Sequence, residues 1–310
     1  MTGRLLGLSA GNPGGSVEIV LKEALMAAEA AGAQVELVRL DDLDLEAPAG
    51  QIPEDAWWFW ERLMEADGLV AAAPIISRTI PGRLKVLIDL LLGPNADRAI
   101  VEKLLAVRAS GQEPQVPFRL DERVLKPRVA GFIAVGGSLT GQWKGLALPA
   151  MHILTFSMHT AVVDQFVVHG AGTPRSVVLD DDALKRAAAL GAHVAAQLGR
   201  TFDEAEYAGE PGLCPLCHLD AVVLTGRDVQ CATCGATGEL ADDATVRWTD
   251  LDTSVVSMAE KRAHYDEILA TAQQHAAQRE QILAKAATYD SFDPTVRPDR
   301  TTPTQQEARQ

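Results

Sequence analysis

The chain has 310 residues, 47% of them hydrophobic, four cysteines and a formal net charge of −14. That length and composition suit a globular protein of about two domains. The acidic balance argues against a nucleic-acid backbone or an anionic membrane surface as the main partner, because both select clustered Lys and Arg.

The apolar runs, such as 68–76, fall far short of the roughly 20 residues a membrane span needs. The opening MTGRLLGLSAGNP has neither the long apolar region nor the cleavage site of a signal peptide, so a cytoplasmic location is expected.

In chain order, 4–10 (RLLGLSA) reads as a short apolar strand. Residues 15–31 have helical spacing, with Val17, Val20, Leu21, Ala24, Leu25 and Ala28 on one face and Gly32 as the stop. A strand over 33–40 follows, then a loop, a helix over 54–66 and the continuous apolar strand 68–74. A helix over 80–92 leads to the segment 94–127, which holds one helical pattern (97–107) and then a polar stretch. Such an insertion is either a lid or a plain surface excursion. Strand 128–137, helix 144–157, strand 161–170 and helix 181–199 complete the alternation. Strands apolar on both faces and alternating with helices predict a parallel sheet covered on both sides, doubly wound in the flavodoxin-like manner.

Three loops at the carboxyl ends of strands carry the chemistry. The first, LSAGNPGGSVE, places Gly11, Gly14 and Gly15 between a strand and a helix, with Ser9 and Ser16 as hydroxyl donors. Glycines admit close approach, free amides point at an anion and the helix dipole favours negative charge. Its spacing is neither GxGxxG nor a Walker A loop. The second loop lies in 71–91 and the third is VGGSLTGQWKG, 135–145. In an open parallel sheet, ligands sit beyond these strand ends.

With these motifs in view, the sequence resembles the NAD(P)H-dependent FMN reductase-like flavoproteins of the flavodoxin superfamily, including the iron–sulfur flavoprotein branch. The resemblance covers roughly 4–199. Ser9, Gly11, Asn12, Gly15, Ser16 and Val17 fall on the phosphate cradle. In APIISRTIPGRLKVLID, Pro74, Lys85, Ile88 and Asp89 are in register with the second motif, and Gly136, Gly137, Gly141 and Gln142 match the third. The resemblance implies FMN held by the first loop at its phosphate, and by Pro74, Ile75, Ile76, Ser77, Arg78 and Thr79 with Gly136, Gly137, Ser138, Gly141 and Gln142 at its ring. It implies hydride transfer from NAD(P)H through the flavin to a small-molecule acceptor, such as a quinone, a free flavin or another organic compound, with the redox chemistry borne by the flavin. A Tyr-Trp-Gly run common in the family is Ile76, Ser77 and Arg78 here, so Arg78 is either a solvent-facing cation or a charge stabiliser beside the flavin. The first loop also lacks the family's Arg. Where the iron–sulfur branch has cysteines, 43–53 reads LDLEAPAGQIP, which offers no thiolate to a cluster. The implied assembly is a homo-oligomer, a dimer or tetramer. The alternative reading is a partner subunit, with little activity alone, that docks another enzyme.

The helix over 54–66 carries WWFW at 57–60, which helical spacing cannot bury entire against one sheet face. An oligomer or insertion contact is expected for the exposed rings. His152, His159 and His169 have no Cys or Glu at ligand spacing and read as structural.

Residues 1–200 thus form the expected FMN-binding domain and 201–212 a polar linker. Every cysteine lies in the next module, 213–250: Cys214, Cys217, Cys231 and Cys234, in a CxxC-x13-CxxC pattern. Two knuckles each donating two thiolates suit tetrahedral zinc, and AVVLTGRDVQ between them reads as a hairpin turning at Thr225-Gly226, so a structural zinc ribbon is expected. A rubredoxin-like iron site has the same donors, but rubredoxins resemble this spacing less well. Disulfides fit a cytosolic chain poorly. Arg227 and Arg247 stand against Asp220, Asp228, Glu239, Asp242 and Asp243, which disfavours nucleic acid as a ligand of the ribbon. Residues 254–288 read as one long helix with a stripe of Ile268, Leu269, Ala272, Ala276, Ile282 and Leu283, and 289–310 as a disordered tail.

Overall fold

A computed structural model describes residues 3–48 and 50–297; residues 298–310, part of the expected tail, lie outside the described residues. The elements are β1 (Arg4–Ser9), α1 (Ser16–Ala30), β2 (Gln34–Arg39), α2 (Glu54–Glu65), β3 (Gly68–Pro74), α3 (Gly82–Leu91), α4 (Arg98–Ala109), β4 (Val129–Val135), α5 (Ala147–Met151), α6 (Ile153–Phe156), β5 (Ala161–Val168) and α7 (Asp181–Gln197). The first five strands are all parallel, in the order β2-β1-β3-β4-β5. This is the expected flavodoxin-like sheet.

Alternation along each strand feeds two cores. Leu69, Ala71 and Ala73 of β3 join the layer of Phe59, Trp60, Leu84 and Leu87 from α2 and α3. Val70 and Ala72 face Val20, Leu21, Leu190 and Val194 from α1 and α7. A strand buried on both faces has no polar phase, which is why β3 reads as an unbroken apolar run.

Helices α1 and α7 meet at Gly191, where an added Cβ would stand 1.8 Å from the carbonyl oxygen of Ala24. In an open helix, Gly→Ala gains up to about 1 kcal/mol. Here backbone blocks the methyl, and overpacking of about 1–3 kcal/mol prevails. Gly191→Ala is therefore expected to lower stability by about 2 kcal/mol, read as a lower urea midpoint.

The insertion packs beside α2. Trp60 is fully buried and donates its indole N–H to Asp121 at 3.0 Å, while the Arg119 guanidinium lies 5.8 Å from the Trp57 ring. Burial raises the Asp121 pKa, but the Arg123 and Trp60 hydrogen bonds outweigh it and hold the carboxyl down at about 2. Trp58 alone of the four rings is exposed.

The expected single helix over 144–157 is two short ones, α5 and α6, with the break at His152. The His152 ring is buried against Phe132 and Phe156, and its Nε2 meets Gln165 Oε1 at 2.8 Å. Burial pushes its pKa down to about 4, so it stays neutral.

The cysteine module is a four-stranded antiparallel sheet of β6 (Val222–Thr225), β7 (Asp228–Cys231), β8 (Thr237–Leu240) and β9 (Val246–Asp250). The expected hairpin is its first pair. The module and its linker lie against the end strand β5: Ala208 N–H donates to Val163 O at 2.8 Å and Gln165 Nε2 to Cys217 O at 2.7 Å. A bare sheet edge invites pairing with other chains, and these contacts engage it. The chain divides into two compact units, Met1–Ala263 and His264–Gln310. The expected helix over 254–288 is α8 (Met258–Ala277) and α9 (Arg279–Ala286), with Gln278 leaving helical geometry between them. Among the described residues, no helix is long and apolar enough to cross a membrane.

Candidate active site

Parallel strands deliver their carboxyl ends to one edge of the sheet, and four loops gather there. The first runs from Ser9 to α1. Gly15 precedes the helix and no side chain caps it, so amides of the first turn face outward with the positive end of the dipole. Glu18, buried in that turn, would repel an anion. However, Arg39 at 2.7 Å and Lys22 at 2.5 Å pair with it, and Gly14 N–H donates to it at 3.2 Å. The Arg39 contact, foremost, holds its pKa down at about 2.

The second loop makes a tight turn. Ile76 and Thr79 exchange backbone hydrogen bonds of 2.8 and 3.1 Å, and both residues between them are left-handed: Ser77 at φ 46 and Arg78 at φ 78. Such turns usually use Asn-Gly. Side chains in this region cost about 1–2 kcal/mol each, and strain of this kind gathers at functional sites.

The third loop is fused to a fourth after β5. Ala171 N–H donates to Gly136 O at 3.0 Å, and a Cβ on Gly137 would come within 2.9 Å of Gly172 Cα. Glycine at both positions permits that approach.

Two cavities result. One, of about 520 Å³, is lined by residues 11–17, Pro74, Ile76, Val135 and residues 171–175. The other, of about 160 Å³, is lined by Ile75, Ser77, Arg78, Gly136, Gly137, Ser138, Trp143, Lys144 and His169. Gly11, Asn12, Gly15, Ser16, Val17, Pro74 and Ile76 thus meet in the first, and Ile75, Ser77, Arg78, Gly136, Gly137 and Ser138 in the second. Ser9 is buried behind the first loop and lines neither. Thr79 closes the turn, and Gly141 and Gln142 lie in an exposed single turn. No residue of the insertion or of the cysteine module lines either cavity.

Sequence reasoning missed the fourth loop, Lys144 and His169. The signal was present: HGAGTPR (169–175) repeats the Gly and Pro density of the other loops at the same sheet edge. His169 differs from its structural counterparts. Its Nε2 lies 3.0 Å from Lys144 Nζ. Burial first and the Lys144 charge second push its pKa below the usual histidine value, so the ammonium donates to a neutral ring. Arg78 and Lys144 then give the smaller cavity two positive charges. Exposed Leu139, Trp143 and Leu146 surround the third loop.

The larger cavity is suited to a phosphorylated ligand. Its volume lies in the usual ligand-site range, and the Ser16 hydroxyl lining it is buried without a hydrogen-bond partner. A buried orphan hydroxyl is costly unless a ligand completes it.

The four thiols form a second centre. Their Sγ atoms lie within 4.8 Å of one another, all buried, with Cys214–Cys234 and Cys217–Cys231 at 3.5 Å. A disulfide would hold sulfurs at about 2 Å. Four thiolates about 2.3 Å from a tetrahedral zinc would lie roughly 3.8 Å apart, so the donor set and spacing fit that ion.

The family described as NADPH-dependent FMN reductase matches residues 4–173. A relative, the flavone synthase cfoJ of Aspergillus candidus, is 37% identical over 268 residues, covering 79% of this chain and 81% of its own. A solved structure described as a flavone reductase superposes with a TM-score of 0.81 at 27% identity, covering 96% of this chain and 100% of its own. The chain therefore belongs to the NADPH-dependent FMN reductase family, as an NAD(P)H-dependent flavin oxidoreductase of flavodoxin-like fold.

Proposed function

We propose that this oxidoreductase acts on a planar conjugated carbonyl compound of the flavone class. FMN would have its phosphate at residues 11–17 and its ring between Pro74–Thr79 and Gly136–Ser138. The observation that carries the reading is the small cavity with two cations, beside the larger phosphate-loop cavity and rimmed by exposed apolar side chains. Flavone appears in the names of both relatives, as what the synthase makes and what the reductase reduces.

Bound FMN would supply the two-electron hydride chemistry between nicotinamide and acceptor. This chain's residues supply position and charge. Outward amides of the first turn and Ser16 bind an anion. Ile75 and Ile76 offer apolar surface to a ring. Adding hydride to the carbon β to a carbonyl places negative charge on the carbonyl oxygen, which Lys144 and Arg78 would hold.

The acceptor class is tested with purified protein, FMN and NADPH. FMN-dependent NADPH oxidation with loss of the flavone's conjugated absorbance is expected. Turnover only with quinones or free flavin overturns the class.

Arg78→Gly separates strain from charge. Relief of the left-handed backbone, less the entropy glycine adds to the unfolded chain, is expected to raise stability by about 0.5–1 kcal/mol. Loss of the guanidinium is expected to lower kcat with the flavone about tenfold or more. Melting curves and steady-state kinetics check both. Full activity in a stabilised variant would remove Arg78 from the site.

The four thiols would hold structural zinc, closed to substrate, and free thiols fit a reducing compartment such as the cytoplasm. A homo-oligomer covering Leu139, Trp143 and Leu146 is the proposed assembly, checked by the mass in solution. The domains are proposed as first read, with 1–200 for FMN and 213–250 for zinc.

A further inference from the structure

The fourth loop places a cation where the first has none. Residues 10–17, AGNPGGSV, contain no Lys or Arg. The Arg175 side chain reaches over that loop: its Nη2 lies 3.2 Å from where a Cβ on Gly14 would stand. Gly14 is left-handed, at φ 66, and bare of side chain. Arg175 lines the same cavity as Asn12 and Ser16. Among the described residues it has no carboxylate partner and no side-chain hydrogen bond. The nearby buried carboxylate, Glu18, is already matched by Arg39 and Lys22. Arg175 is itself left-handed, at φ 63, an unfavourable backbone for a residue with a Cβ.

A guanidinium without a partner, an uncapped helix N-terminus and the orphan hydroxyl of buried Ser16 therefore face one cavity. Each lacks the same thing, an oxyanion. We propose that Arg175 is the counter-ion of the FMN phosphate, forming with the α1 N-terminus a two-sided site for a phosphate monoester. This rests on the FMN reading above. It assigns the charge to a residue 161 positions beyond Gly14 (175 minus 14), outside the loop that carries the phosphate-binding pattern. A fork of N–H donors matches phosphate oxygens in pairs, which a lone ammonium does not.

FMN and riboflavin, the same ring without phosphate, are titrated into wild type, Arg175→Gln and Arg175→Gly, with flavin fluorescence as the readout. Both variants are expected to bind FMN about 10–100-fold more weakly, with riboflavin affinity within about twofold of wild type and a shallower salt dependence for FMN. Arg175→Gly also relaxes the backbone, so its melting temperature is expected to hold or rise. Equal losses for FMN and riboflavin, or unchanged FMN affinity, overturn the proposal. Failure of wild type to bind either flavin would instead overturn the FMN reading on which it rests.

Discussion

Removing the metal from the proposed zinc site, by chelation or by Cys217→Ser, is expected to unfold the cysteine module while the five-stranded sheet survives. The module's buried core consists of the four cysteines with Ala236 and Val256. Burying two such apolar side chains yields at most a few kcal/mol. Ordering the chain from Cys214 to Asp250 costs conformational entropy that so small an apolar core does not offset. Hydrogen bonding across four short strands does not close that gap. Zinc on four thiolates contributes about 10–16 kcal/mol in comparable small sites. One zinc per chain is the expected content, with protease cleavage appearing within 213–257 after chelation. An iron absorption spectrum, or a metal-free Cys217→Ser protein that resists protease like wild type, would contradict it.

The consequence for the flavin is a weaker, indirect one. The linker touches β5 at Val163 and the module at Gln165, whereas the cavities are built from loops beyond Val168 and its counterparts. Loss of the module would free the Gln165 amide from Cys217 O and expose the His152–Gln165 pair. Aggregation through the bared edge strand is thus expected to precede loss of flavin binding.

How much of this was legible in sequence depended on whether the cause was local. β1, β3 and β4 announce themselves because both their faces are buried, and α1 because its apolar face repeats at helical spacing. The sheet's edge then follows from parallel connectivity, which is why loops at 9–17, 74–79 and 136–142 were singled out together. The misses are non-local. Lys144 meets His169, and Arg175 meets Gly14, only because the loop after β5 turns back across the ends of its neighbours. The Gly- and Pro-rich run 169–175 marks a loop at that edge but not the neighbours it meets. β8, TGEL, has little strand character of its own and is held between β7 and β9. The break at Gln278 follows no Gly or Pro, whereas the one at His152 lies three residues beyond Pro149. WWFW was readable as a conflict that helical spacing could not resolve, but the partner that resolved it, Asp121, lies 61 residues away.

Arg128→Met is expected to destabilise the sheet domain by about 3–5 kcal/mol without direct damage to the flavin site. Arg128 is almost completely buried just before β4, with no carboxylate in contact. Its guanidinium donates instead to backbone carbonyls: Met64 at 2.9 Å, Leu63 at 3.2 Å, Arg123 at 2.9 Å and Lys126 at 3.0 Å. Leu63 and Met64 belong to the last turn of α2, whose carbonyls have no partner within the helix and carry the negative end of its dipole. One side chain therefore caps α2 and ties the end of the insertion to it. Burial lowers the Arg128 pKa to about 10, so the charge persists at neutral pH. Methionine fills similar space but leaves several buried carbonyls unsatisfied, at about 1–3 kcal/mol each where water cannot replace the donor. Lysine keeps the charge and loses the fork, so Arg128→Lys is expected to fall between Met and wild type. Denaturant midpoints rank the three. Arg128 stands at the amino end of β4 and the cavities at its carboxyl end, about 20 Å away along seven residues. FMN affinity of the folded variant should therefore match wild type. A variant that melts like wild type would show that water satisfies those carbonyls, and one that stays folded but loses FMN would show that the amino end of β4 governs the loops at its other end.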